Sequence, residues 1–190
     1  MIKRITFLRI TMLCTVILGL LFSNTTYAAY NHQLQPPWRS TYKTATFKVQ
    51  NTFGSTTKSQ IVDAMMEWNN VIPKQFLYKS SVETTSTWPA DDGVKTITKN
   101  YYGVDSFIGN TSVYYSSIDG LAVSADVMVN ISHPFANSAQ YGKHDVQSVI
   151  THELGHVLAV DHTFVATIPM DTMYSDPNTG NPFSLNSTIL

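Results

Sequence analysis

The segment HELGHVLAVDH, residues 152–162, sets the tightest constraint on how this chain folds. His152 and His156 are four apart, so on a helix they project from nearly one face, one turn above each other, and can meet a single ion. His162 lies six residues further on. A continuous helix would carry it about 9 Å along the axis and rotate it away from the first pair. For the three imidazoles to converge, the helix must end near Ala159. Glu153 directly follows the first histidine, where its carboxylate can face a water in the site without taking a ligand position.

Imidazole nitrogens suit zinc at roughly 2.0 to 2.1 Å, and a catalytic zinc site takes three protein ligands and keeps one position open. Zinc lowers the pKa of a water to about 7, so Glu153 can take its proton during attack on a peptide carbonyl and pass it to the leaving amine. With six histidines in 190 residues, the full three-histidine pattern arises by accident in about one such chain in ten thousand. No glutamate follows Glu153, which excludes a later glutamate as third ligand; Asp161, Asp171 and Asp176 remain as later carboxylates. Asp161 reads as a supporting carboxylate beside His162, and His162 is the best third ligand.

The start of the chain reads as an export leader. Lys3, Arg4 and Arg9 precede an apolar run, Ile10 to Phe22, that is short and lopsided for a membrane span. Thr26 and Ala28 suit cleavage after Ala28, so residues 1–28 are expected to be a signal peptide and the product to be secreted and extracellular. Cys14, the only cysteine, lies in the leader behind Leu13, where a lipoprotein would carry a small residue. The exported chain then has no thiolate nucleophile, cysteine ligand or disulfide. It keeps 9 basic against 13 acidic residues, a net charge of −4. Without a basic cluster, neither nucleic acid nor stable membrane association after cleavage is expected, and a monomer is the simplest state.

Residues 29–41 read as an extended lead-in with two prolines, and 42–190 as one domain whose 43% hydrophobic content is enough for a core. TATFKVQN (44–51) alternates as a half-buried strand does. Thr57 and Gln60 look like a capping box opening a helix in which Ile61, Ala64, Met65, Trp68, Val71 and Ile72 recur at helical spacing and which Pro73 closes. Trp68 reads as helix surface or core filling. QFLYKSSV (75–82) and VKTITKNYYG (94–103) are strands, and NTSVYYSS (110–117) with GLAVSADVMVN (120–130) form an antiparallel hairpin around Asp119-Gly120. A looser stretch leads to Asp145, the N-cap of the histidine helix. His133 and His144 flank that region as surface residues or a second metal site, and the acidic residues near Asp91-Asp92-Gly93 and Asp105 lack calcium-loop spacing, so calcium stays unsupported.

With these residues in view, HELGHVLAVDH resembles the extended zinc motif of the metzincin metallopeptidases, in particular matrixin-like secreted bacterial peptidases. TATFKVQN with the Trp68 helix, ADVMVN, and DTMYS resemble that family's opening strand and first helix, its strand before the zinc helix, and its methionine turn, with Met173 preferred over Met170 as the methionine. The resemblance implies an α+β, zincin-like catalytic domain: a twisted, mostly parallel sheet with an antiparallel edge strand, a first helix and an active-site helix. It implies one catalytic Zn2+ held by His152, His156 and His162, Glu153 as the catalytic carboxylate, and a polypeptide substrate bound extended along an edge near Thr111–Ser116. Residues 163–172 would line the pocket beyond the scissile bond and favour an apolar or aromatic side chain.

The chain departs from that pattern in three places. No cysteine-bearing inhibitory propeptide fits between Ala29 and the first strand, the usual long C-terminal helix is not evident before Leu190, and the motif's glycine is Ala159. Alanine in the left-handed region costs about 1 to 2 kcal/mol, and zinc binding at structural sites, roughly 10 to 16 kcal/mol, tolerates it. Ala159 is therefore expected to adopt positive φ. The rival to a peptidase is a secreted zinc-containing binding protein of the same fold with little turnover.

Overall fold

The computed structural model describes residues 38, 42–72, 75–138, 140–162 and 172–173, all within one unit, His32–Leu190. Its first strand, β1 (Ala45–Val49), buries Ala45, Phe47 and Val49 and turns Thr46 outward, as a two-residue repeat on a one-sided strand requires. Helix α1 (Ser55–Val71) follows, with Ile61, Ala64 and Met65 inward and Val71 exposed. Short β2 (Leu77–Lys79) and β3 (Thr96–Asn100) both pair parallel with β1, from opposite sides. The hairpin β4 (Gly109–Tyr115) and β5 (Ala122–Asn130) completes a sheet of order β2-β1-β3-β5-β4.

β5 pairs parallel with β3 (Ile97 opposite Val127) and antiparallel with β4 (Ser112 opposite Asp126), so β4 is an antiparallel edge on an otherwise parallel sheet. The register slips between Tyr114 and Tyr115, where the strand gives way to the Asp119-Gly120 turn. Central β5 is buried at eight of nine positions, including Asp126, whose carboxylate accepts from the Ala90 and Thr96 amides and the Thr96 hydroxyl at 2.7–2.9 Å. Those bonds satisfy a carboxylate that would otherwise be costly to bury, and they tie the 90–96 segment to the sheet. Two-residue strands β6 (Phe135–Ala136) and β7 (His144–Asp145) pair parallel and lead into α2 (Val146–Val157).

Helix α2 opens as the sequence reading expected: the Asp145 carboxylate accepts from the Ser148 amide (2.9 Å) and hydroxyl (2.8 Å), satisfying an N-terminal N–H. Val146, Val149, Ile150, Leu154 and Val157 are buried and join α1 and the sheet in one core. Two expectations fail. The Thr57–Gln60 capping box does not form; α1 begins earlier, behind Gly54, and both side chains instead reach Asn137, Thr57 Oγ1 to its Oδ1 (3.1 Å) and Gln60 Nε2 to its carbonyl (2.9 Å). Residues 131–144, read as a looser stretch leading to Asp145, contain β6 and the start of β7, which pair with each other. Among the described residues no helix is long and apolar enough to cross a membrane. The expected leader, Met170 and residues 163–171 lie outside the described residues.

Candidate active site

His152 and His156 project from α2 and His162 returns from the segment after it. His162 Nε2 lies 3.0 Å from both His152 Nε2 and His156 Nε2. The return depends on how α2 ends. Val160 N–H donates to the Gly155 carbonyl and Ala159 N–H to that of His156, both at 3.0 Å, the paired bonds of a Schellman ending. Ala159 has φ 68°, the only positive φ at a non-glycine among the described residues. The sign expected from the sequence is the one found. Asp161 Oδ1 accepts from the His162 amide at 2.7 Å and holds the turn that presents that ring.

Each helical histidine is oriented through its far nitrogen. His152 Nδ1 lies 2.7 Å from the Thr172 carbonyl and His156 Nδ1 2.9 Å from that of Val160. A carbonyl only accepts, so both Nδ1 atoms carry the proton and both Nε2 atoms present bare lone pairs in the neutral rings. Burial pushes His152 down to about 3 and lowers His156 and His162 as well, which keeps the rings neutral, the form that binds metal. A proton on His162 Nε2 could serve only one of its two contacts, so at least one pair opposes lone pair to lone pair. A cation among them removes that repulsion. Three imidazole ligands of a tetrahedral ion would be about 3.3 Å apart, close to the 3.0 Å found, so the donor set fits zinc. Among the described residues it is the one cluster of three or more ligand-type side chains.

Glu153 is 3% exposed. Burial pushes its carboxyl up to about 7, partly offset by a bond from the Thr111 hydroxyl to Oε2 at 2.8 Å. Gly109 makes room for it: a Cβ there would stand 2.6 Å from Glu153 Oε1 and 2.9 Å from Val149. The histidines and Glu153 floor a cleft of about 400 Å³ walled by β4 residues, with Phe107, Val113 and Tyr115 supplying apolar surface. Met173 is buried against Gly155 of α2. His133 and His144 stack edge to face at 5.6 Å, half-buried and apart from this cleft.

Four supports escaped sequence reasoning. Trp38, assigned to a featureless lead-in, donates its indole N–H to the Val157 carbonyl at 2.6 Å, and Trp68 does so to Thr151 at 2.7 Å; together they pin α2. Gly109 and Thr111 seat Glu153 from 42 or more positions away. The only local signal was polar or glycine residues in an otherwise β-prone edge strand. Ala159→Gly is expected to raise the unfolding temperature by about 2 to 4 °C, since relief of roughly 1 to 2 kcal/mol of left-handed strain exceeds glycine's extra chain entropy. Calorimetry of the two proteins checks it.

No curated protein matches the chain by sequence. Among solved structures it is similar to high choriolytic enzyme 1, a hatching enzyme zinc-protease from Oryzias latipes (medaka fish), at 13% identity and a TM-score of 0.34. That alignment covers 70% of this chain and 52% of the other, so the chain spans about half the length of that protein. The family profile described as Matrixin matches residues 37–187. Because that match runs from beside the Trp38 indole past Met173, far beyond the histidine motif, the chain belongs to the matrixin family of metallopeptidases.

Proposed function

We propose that the chain is a secreted zinc-dependent endopeptidase, with residues 1–28 as export leader and 42–190 as catalytic domain. His152, His156 and His162 hold the ion, and Glu153 is base and then acid. The observation that carries this reading is the convergence of three Nε2 lone pairs beside a buried carboxylate at the floor of a cleft. Zinc bound by these rings would polarise the scissile carbonyl, acidify a water and favour the ionised form of the neighbouring carboxylate. Glu153 accepts the proton of the water as its oxygen adds to the carbonyl carbon, then delivers that proton to the departing amine nitrogen. Edge strand β4 offers unpaired backbone groups along which a polypeptide lies extended. The apolar Phe107, Val113 and Tyr115 suit side chains of that peptide.

The test is hydrolysis of casein or a quenched peptide library by the purified protein before and after chelation. We expect one zinc per chain, cleavage abolished by chelator, and cleavage restored by added zinc. Equimolar zinc with no cleavage of any peptide would instead support a zinc-containing binding protein.

A further inference from the structure

Among the described residues, Thr111 is the hydroxyl that reaches both oxygen types that Glu153 presents. Its Oγ1 lies 2.8 Å from the carboxylate Oε2 and 2.9 Å from the Glu153 backbone carbonyl. A hydroxyl has one proton and two lone pairs, so it donates to one of these oxygens at a time and can accept from a partner that carries a proton. We propose that Thr111 is a positioning residue for Glu153, its hydroxyl holding the carboxyl against β4. The hydroxyl donates to Oε2, with the Glu153 carbonyl as its alternative acceptor, so it ties the side chain to both β4 and its own helix.

The seat around the carboxyl is closed enough for this bond to decide its orientation. Gly109 and Thr111 are two apart on β4 and face the same way. The Gly109 backbone and Val149 bound the Oε1 side, with no room for even a methyl group, while Thr111 holds Oε2. At 3% exposure Glu153 has little water to replace a lost partner. An isosteric side chain without the hydroxyl leaves Oε2 unpaired, and the carboxyl then turns toward the open cleft to be solvated.

This inference rests on Glu153 being base and acid, and its test separates the two claims. Thr111→Val keeps the branched shape and removes the hydroxyl; Thr111→Ser keeps the hydroxyl. In zinc-loaded protein we expect Thr111→Val to lower kcat about tenfold or more with KM within about twofold, the signature of a group acting after substrate is bound. Thr111→Ser should recover most of that loss, both variants holding one zinc per chain. Crystal structures of zinc-free wild type and Thr111→Val supply a readout independent of turnover: the Glu153 carboxyl should leave β4 only in the valine variant. An unchanged kcat in Thr111→Val, a loss that serine does not recover, or an unmoved carboxyl would overturn the proposal. If wild type cleaves nothing, the peptidase reading fails and the crystallographic comparison still decides the role of Thr111.

Discussion

Glu153→Gln is expected to lower kcat/KM by about 10² to 10⁴ while the protein still binds one zinc per chain, the range associated with loss of a positioned acid–base group. Glutamine is close in shape to the buried carboxyl, and its amide oxygen can accept the Thr111 hydroxyl proton in place of Oε2. The ligand nitrogens of His152, His156 and His162 are untouched by the change. What the amide cannot do is take a proton from the water and give it to the amine. Steady-state kinetics on a quenched peptide, with zinc content measured on the same samples, checks this. Zinc lost together with activity would mean that the carboxylate is needed to build the site, and activity within tenfold of wild type would remove Glu153 from the role of base.

The parts of this site that were legible in the sequence are those whose cause is local. The spacing of His152 and His156 is a property of helix pitch, the Asp145 cap closes on a residue three positions away, and the positive φ of Ala159 follows from bringing His162 back. The antiparallel hairpin is signalled by its own Asp119-Gly120 turn. What escaped has distant partners. Trp38 reaches a carbonyl 119 residues on, Thr111 a carboxylate 42 residues on. The capping box failed for the same reason, because Asn137, 77 to 80 residues away, binds the side chains of Thr57 and Gln60. Local patterns state what a residue is able to do, while a tertiary partner decides which option it takes.

That contest between local preference and tertiary partner yields the second large effect, Gly155→Ala. Inside an exposed helix this change would add about 1 kcal/mol of stability through helix propensity. Here the new Cβ would fall on Met173 Sδ and stand 2.9 Å from Trp68 Cζ2 and 3.0 Å from Met173 Cε. Trp68 cannot swing aside without breaking its bond to the Thr151 carbonyl. Met173 can move only by leaving a fully buried seat next to Thr172, whose carbonyl orients His152. Overpacking a tight contact costs about 1 to 3 kcal/mol and more where neighbours cannot yield. We therefore expect a net loss of about 2 kcal/mol, a fall of roughly 4 to 8 °C in unfolding temperature for a domain of this size. Zinc affinity should fall with it, because the displaced Met173–Thr172 segment no longer fixes the His152 ring. Four residues on, Ala159→Gly replaces a good helix former with a poor one and is expected to stabilise. Opposite signs from these two exchanges, both against helix propensity, would show that the turn is shaped by what the histidines and Met173 need. A stabilising Gly155→Ala would mean that Met173 packs elsewhere and the support of His152 is not the one described.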